Sequence, residues 1–310
     1  MRENRFQIEV ATGRFTLPVV TLVCLLLWGI SFNQWDELVS LAIVASIGYL
    51  MIEANTHFSL IRTRTTMPVS LYGIMATVLF FLHPFQWSLV VPLLFMMAIF
   101  QMFLSYESPR ASTPIYHSFL FLSIGSLIFP HIIYFMPLFL VGMIPFRAMS
   151  LKSFAASLLG MITPYWFLFG YTFLTEQTAL WKEPLQEMIT FHPIDFSHLA
   201  LNEKISGGVT TLLLIVGAFH YWQRAYTDRT QTRIYHSFLA YTGLWAMLFG
   251  ILQPQHFTVW LQIQLICSAF LNGHLFTLTR NRFTGIYFMI TFAALTILMI
   301  YNLWMLFFSF

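Results

Sequence analysis

The feature that most constrains this chain is a series of long apolar stretches separated by very few charges. Runs such as 15–32 and 284–308 reach the length of about 17–25 residues that a helix needs to cross a bilayer. Only 9% of the residues are charged and 58% are hydrophobic, whereas soluble domains carry about 25% charged residues. This composition excludes a soluble globular fold and a disordered chain. The sequence therefore predicts an all-α, polytopic membrane helix bundle.

Eleven stretches are predicted to be transmembrane helices of a single domain covering residues 1–310. Tight turns at His83-Pro84 and Phe129-Pro130 leave a count of ten open, with one pair re-entrant. The basic N-terminus resembles a signal peptide, but no small-residue cleavage site follows, so we interpret 15–32 as a retained helix. The predicted helices are 15–32, 37–55, 67–83, 86–105, 114–129, 131–147, 151–174, 206–223, 234–252, 256–276 and 284–308.

The basic residues predict the orientation of these helices. With a cytoplasmic N-terminus and eleven alternating helices, 13 of the 15 basic residues fall on the cytoplasmic side, and the C-terminus lies outside. Lys182 and Lys204 fall in the outer loop 175–205, where the spacing of apolar residues predicts an amphipathic surface helix. The thirteen are Arg2, Arg5, Arg14, Arg62, Arg64, Arg110, Arg147, Lys152, Arg224, Arg229, Arg233, Arg280 and Arg282.

A short internal repeat suggests duplicated helical hairpins. The hexapeptide Ile-Tyr-His-Ser-Phe-Leu occurs at Ile115–Leu120 and again at Ile234–Leu239. Both copies open helices predicted to run from the inside to the outside. Duplication of a hairpin in the same orientation explains this, and so does convergence, because each helix start needs an interfacial residue followed by apolar ones.

Polar residues at the predicted cytoplasmic end of the second helix form a candidate inner-leaflet site. Glu53, Asn55 and His57 do not share one helix face, so we expect the last turn to unwind here. Arg62 and Arg64 follow directly. These residues favour a site for an anionic head group or a partner, and the alternative is a helix-end acid paired with an arginine.

The predicted helix 256–276 is the most polar of the series. Gln264, Ser268 and Asn272 recur every four residues and therefore share one face. Lipid cannot satisfy these groups, so the face must meet protein or water. Interhelical hydrogen bonding and a lined cavity both explain it.

The outer side offers a third candidate site. His192, Asp195 and His198 are spaced three apart, which allows a metal site but equally a capping aspartate between solvated histidines. Asp36 and Glu37 lie in the first outer loop, where multi-helix glycosyltransferases that use polyprenyl phosphate place an acidic residue. Here that loop is only about five residues long.

The remaining motifs identify no chemistry. The sequence has no phosphate-binding glycine loop, no His-Glu-x-x-His and no Cys-x-x-Cys, so we predict neither a cofactor nor a metal and lean against an enzyme. The absence of a basic run argues against nucleic acid. Five histidines at the cytoplasmic level are interpreted as interfacial, with a metal or haem pocket as the alternative: His57, His117, His220, His236 and His274.

A weak resemblance runs through residues 50–175. It comprises Glu53-Ala54-Asn55, the stretch Arg64 to Pro68, Tyr116 to Leu127, Pro145-Phe146-Arg147, and Leu158 to Tyr165. In these motifs the chain resembles a Bacteroidota family of uncharacterised polytopic integral membrane proteins. The resemblance implies a bacterial inner-membrane location and one all-helical domain, and it carries over no catalytic residue.

Three functions fit the sequence. The first is a non-enzymatic scaffold or accessory subunit of an envelope-assembly or export complex, bound by membrane lipid and by a membrane-protein partner or a second copy. The second is a transporter or lipid flippase with a path along helix 256–276. The third is a glycosyltransferase-like enzyme that uses Asp36 and Glu37.

Overall fold

The computed structural model describes residues 5–32, 34–176, 179–190, 193–279 and 281–308, which form helices and turns and contain no strand. The all-α prediction is confirmed for this part of the chain. Its thirteen α-helices are α1 Arg5–Thr12, α2 Thr16–Ser31, α3 Glu37–Phe58, α4 Met67–Val78, α5 Val90–Leu104, α6 Ser112–Ile128, α7 Met136–Gly142, α8 Leu151–Leu174, α9 Ala179–Ile189, α10 Leu201–Arg224, α11 Thr230–Leu252, α12 Phe257–Leu278 and α13 Arg282–Phe308.

Seven helical segments of the described chain are long and apolar enough to cross a membrane. These are α3, α5 with its preceding turn, α8, and α10 to α13. An eighth exists if α1 and α2, which meet at an 82° bend, form one broken span. The predicted count of eleven crossings and their orientation stay predictions.

Two of the predicted spans contain shorter α-helices than the sequence suggested. In the stretch 67–83, α4 ends at Val78 and a short 3₁₀ turn, Phe80–Leu82, follows. In the stretch 131–147, a 3₁₀ segment, Pro130–Phe135, precedes the seven-residue α7. Prolines supply the reason in the second case, because Pro130 and Pro137 each lack the N–H that would continue a preceding helix.

The surfaces of the long helices are apolar. On α8, the exposed fractions of Trp166, Phe167 and Phe173 are 70%, 72% and 73%. Exposed isoleucines such as Ile290 and Ile297 run along α13 in the same way. Water would penalise such extended apolar faces, whereas lipid accommodates them. These helices are those of a multi-pass, membrane-embedded protein.

The chain divides into two compact units. The first combines residues up to Phe85 with those from Ile194 onward, and the second consists of Gln86–Pro193. The prediction of a single domain stays a prediction.

The first unit is built around α12. Every residue of α12 from Val259 to Thr277 is buried, among helices that include α4, α10 and α11. Gly273 permits a close approach to α4, because a Cβ at this position would lie 2.7 Å from Cγ of Pro68 and 2.9 Å from its backbone nitrogen. A helix buried on all sides can keep polar groups only if its neighbours bind them.

The second unit is built around α6, which packs between α5 and α8. The Ser118 hydroxyl donates to the carbonyl of Ala98 on α5 at 2.8 Å. The Ser123 hydroxyl donates to the carbonyl of Met161 on α8 at 2.6 Å. Small and hydroxyl-bearing residues at helix contacts are typical of membrane helix packing.

The two copies of the repeated hexapeptide occupy similar local positions. Ile115–Leu120 lies in the first half of α6, in the second unit, and Ile234–Leu239 lies in the first half of α11, in the first unit. Both therefore begin long helices. Duplication of a hairpin stays a prediction.

Candidate functional site: a buried histidine cluster

A group of aromatic and acidic side chains lies buried where three helices of the first unit meet. It comprises Tyr221 near the end of α10, Asp228 in the turn before α11, His236 in α11 and His274 near the end of α12. We call these four residues the histidine cluster. Asp228 reaches it because α10 ends at Arg224 and a 3₁₀ turn, Ala225–Thr227, leads into an extended residue.

The strongest contact in the cluster joins His274 to Asp228. Nε2 of His274 lies 2.8 Å from Oδ2 of Asp228, and both side chains are only 4% exposed. Because a carboxylate accepts, Nε2 carries the proton in this hydrogen bond. Nδ1 of His274 is also buried and has no hydrogen-bond partner. It therefore presents a lone pair to the protein interior when the imidazole is neutral.

His236 shows the same arrangement with the ring nitrogens exchanged. Its Nδ1 lies 3.2 Å from the carbonyl oxygen of Thr232, one helical turn earlier, so Nδ1 donates. Its Nε2 is buried and has no hydrogen-bond partner. The ring centres of His236 and His274 are 4.7 Å apart. The cluster thus holds two neighbouring imidazoles, each with one nitrogen satisfied and one free.

Tyr221 fixes the two imidazole rings by packing. Its ring stacks on His236 at a centroid distance of 4.9 Å and meets His274 edge-on at 5.1 Å. Tyr221 is fully buried. Aromatic contacts of this kind hold side chains in one orientation.

The charge of the cluster is concentrated on Asp228. Burial raises the pKa of this carboxyl, but the hydrogen bond from His274 and the nearby charges of His274, His236 and Arg62 outweigh it and hold the pKa below its usual range. Asp228 is therefore ionised at neutral pH. An ionised carboxylate orients a hydrogen-bonded imidazole and raises the electron density on its other nitrogen.

The residues of the predicted inner-leaflet site lie in the first unit, and one of them, Asn55, has a structural role. Asn55 accepts from the backbone N–H of Ile61 and donates to the carbonyl of Thr65, both at 3.2 Å, so it holds the loop after α3. Glu53 and His57 are exposed, as are the flanking arginines Arg62 and Arg64. Of these residues, Arg62 is the one whose charge acts on Asp228.

The expected unwinding near Asn55 is wrong. Helix α3 continues through His57 to Phe58 and ends where Ser59 takes a left-handed conformation, with φ of 49°. The side chain of Asn55 bonds to the following loop and does not compete with its own helix. The helix therefore keeps its backbone hydrogen bonds for one further turn.

The predicted polar face of helix 256–276 lies against α10. The Thr211 hydroxyl donates to Oε1 of Gln264 at 3.1 Å. The amide of Asn272 donates to the carbonyl of Leu213 at 3.0 Å and to Oγ of Ser268 at 3.1 Å. Gln264, Ser268 and Asn272 are all buried.

Helix α13 supplies a further partner for this face. The Tyr287 hydroxyl donates to Oδ1 of Asn272 at 2.8 Å. Both ends of the Asn272 amide are therefore bound within the first unit. The structure places Gln264 and Asn272 in interhelical hydrogen bonds, whereas Ser268 bonds to Asn272 within α12.

The predicted outer residues are spread over separate places. Asp36 is exposed immediately before α3, while Glu37 is buried in the first turn of that helix. Asp195 accepts from the backbone and hydroxyl of Ser197, both at 2.8 Å, which holds its pKa below the usual range. His198 is exposed. His192 lies outside the described residues, so the three-residue arrangement stays a prediction.

The sequence places His236 and His274 at the same predicted depth and favours an interfacial role for both. In the structure the two side chains are buried inside the first unit, and their depth in the membrane stays a prediction. Asp228 was missed because it precedes a helix and has no motif around it. The one sequence pattern that relates Asp228 to His236 is their separation of eight residues across the start of α11. The contact with His274 depends on tertiary packing between α11 and α12.

The chain matches no protein-family model, and no curated protein or solved structure shows significant similarity to it. The fold and the side-chain geometry therefore carry the functional argument. They define the class as a multi-pass helical membrane protein with a buried histidine cluster.

Proposed function

We propose that this protein is a non-enzymatic scaffold or accessory subunit of an envelope-assembly or export complex in a bacterial inner membrane. The observation that carries the proposal is that the polar side chains of α12 form hydrogen bonds with other helices of the bundle. Two of these side chains, Gln264 and Asn272, are bonded to neighbouring helices. The most polar helix thus stabilises a rigid bundle. The proposal includes kinship with the Bacteroidota family that the sequence resembles.

The face proposed for the partner is the exposed side of α8. This helix has the most exposed membrane-length apolar window in the described chain, and only 22% of that window is buried. Large aromatic side chains, including Trp166, Phe167 and Phe173, project from it. Aromatic residues supply much of the binding energy where proteins associate. Lipid covers the other apolar faces in this proposal.

Purification from the native host in mild detergent tests the proposal. We expect a second membrane polypeptide, or a second copy of the chain, to co-purify in a fixed stoichiometry. Trp166→Ala on α8 should reduce that stoichiometry at least tenfold. Trp304→Ala is the matched control, because this tryptophan is similarly exposed, at 61%, on α13. A stable monomer from every mild extraction contradicts the proposal.

The two alternative functions have less support. A transport path along 256–276 needs polar groups that face a cavity, whereas Gln264, Ser268 and Asn272 are buried and hydrogen-bonded. The glycosyltransferase-like alternative still depends on Asp36 and Glu37. Substituting both by their amides should leave function unchanged if the scaffold proposal is correct, and abolition of function would favour the enzyme.

A further inference from the structure

We propose that a cavity between α2 and α3 binds one acyl chain of a membrane phospholipid, with the indole N–H of Trp28 donating to the ester carbonyl of that chain. The proposal goes beyond the scaffold function and does not depend on it. The cavity lies within the first unit and has a volume of about 460 Å³. Pockets that bind small molecules are typically of this size.

The cavity lies where α2 and α3 both pack on α4. A Cβ at Gly73 of α4 would lie 3.6 Å from Sγ of Cys24 on α2. A Cβ at Gly48 of α3 would lie 3.5 Å from Cγ1 of Val69 on α4. Helix α4 therefore forms the floor of the cavity, and the two preceding helices form its walls.

The walls are mostly apolar and the cavity opens sideways between them. Leu25 of α2 and Tyr49 of α3 both line it, and they are 54% and 65% exposed. Water does not fill an apolar cavity, because each water molecule needs several polar partners. In a bilayer the opening faces hydrocarbon chains, and walls left without an occupant would lose dispersion contacts. The occupant that this environment offers is a lipid chain.

The dimensions of the cavity select one chain and exclude a helix. Its lining extends along α3 from Leu38 to Ile52, which corresponds to about 21 Å at the rise of an α-helix. The volume divided by this length gives a mean cross-section of about 20 Å². A helix of a partner protein, with a diameter of about 10–12 Å, has a cross-section several times larger. A single extended acyl chain is long and narrow enough to enter.

Trp28 marks the end of the cavity at which the head group lies. It lines the cavity near the end of α2, as Leu38 does near the start of α3. Trp28 is 4% exposed, and its Nε1 has no hydrogen-bond partner. A buried N–H without an acceptor is costly. Tryptophan is enriched at the level of the lipid head groups, and the ester carbonyl of the bound chain supplies an acceptor there.

The indole of Trp28 is held in place without the lipid. Its ring stacks on His83 at a centroid distance of 3.8 Å. His83 is itself bound on both nitrogens, by the Ser31 hydroxyl at 2.6 Å and by the carbonyl oxygen of Thr77 at 3.1 Å. The donor is therefore ordered before a chain enters the cavity.

Photo-crosslinking of the full-length protein in vesicles tests the site. The vesicles consist of phosphatidylethanolamine and phosphatidylglycerol, with a trace of phosphatidylcholine that carries a diazirine in one acyl chain. Mass spectrometry locates the labelled residues. We expect saturable labelling of the cavity walls on α2 and α3, at least threefold above that of the exposed faces of α8 and α13.

Two substitutions should lower this labelling. Ala45 lines the cavity and is exposed to it, so Ala45→Phe fills the space and should reduce labelling to the level of α8 and α13. Trp28→Phe keeps an aromatic ring against His83 and removes the N–H, and it should reduce labelling at least twofold. Ser46→Phe is the matched control, because Ser46 is exposed on the same helix but does not line the cavity. It should be labelled like the wild type.

Three results would overturn the proposal. The first is wild-type labelling that is no stronger in the cavity than on α8 and α13, which needs no variant. The second is unchanged labelling in Ala45→Phe that thermal unfolding shows to be folded. The third is a polypeptide, in place of lipid, cross-linked in native membranes to a photoreactive amino acid incorporated at Ala45. The vesicle results do not bear on co-purification of a partner, because the vesicles contain this chain alone.

Discussion

At the scale of single residues, glycine determines how closely the helices of the second unit approach. A Cβ at Gly160 would lie 2.5 Å from the carbonyl oxygen of Tyr116 and 3.1 Å from the backbone nitrogen of Leu120. Both are backbone atoms of α6, so no side-chain rotation relieves the clash. Gly170 on the same helix has no atom within 4 Å of its Cβ position.

This difference predicts the outcome of two alanine substitutions. Gly160→Ala should lower the free energy of unfolding by about 1–3 kcal/mol, because α8 must move away from α6. Gly170→Ala should change it by less than about 0.5 kcal/mol, as substitutions outside packed contacts usually do. Unfolding in mixed detergent micelles measures both. Equal effects of the two substitutions would contradict the close packing at Gly160.

At the scale of elements, Asn272 links three helices. Its amide donates to the Leu213 carbonyl on α10 and accepts from the Tyr287 hydroxyl on α13. In a membrane, a hydrogen bond between helices contributes about 0.6 kcal/mol on average and up to about 1.7 kcal/mol. The three helices should therefore lose stability together when this residue is changed.

A double-mutant cycle measures the link to α13. Asn272→Ala and Tyr287→Phe should each destabilise the protein, and the double variant should be less destabilised than the sum by about 0.6–1.7 kcal/mol. Tyr287→Phe keeps the aromatic ring and removes only the hydroxyl. Strict additivity would show that this hydrogen bond does not form in the micelle.

The helices themselves were predictable from the sequence, and most of the site was not. Apolar length and turn residues identified the helical stretches, and the four-residue spacing of Gln264, Ser268 and Asn272 identified a polar face. The end of α3 was misplaced because the bonds of Asn55 to a later loop are not local. Asp228 and His274 are 46 residues apart, and no periodicity relates them.

At the scale of the whole molecule, the charges predict its orientation. The positive-inside rule places the N-terminus in the cytoplasm and the C-terminus outside when eleven helices cross. A phosphatase fusion after Phe310 should therefore be active, because this reporter works only outside the cytoplasm. A fluorescent fusion at the same place should be dark.

A second pair of fusions serves as the control. The turn at Asp228 should report the cytoplasm and the loop at Asp195 the outside, since α10 separates them. If both fusions report the same side, α10 does not cross the membrane. If they report the expected opposite sides but the C-terminus is cytoplasmic, fewer helices than predicted cross the membrane after Asp228.

The burial of α12 also bears on the order in which the protein is made. Polar residues such as Gln264 and Asn272 would leave this helix poorly solvated if it entered lipid alone. Translation provides α4, α10 and α11 first, since all three precede α12 in the chain. The helices that bury α12 have therefore been translated before α12 itself, and α13, translated last, carries the tyrosine that donates to Asn272.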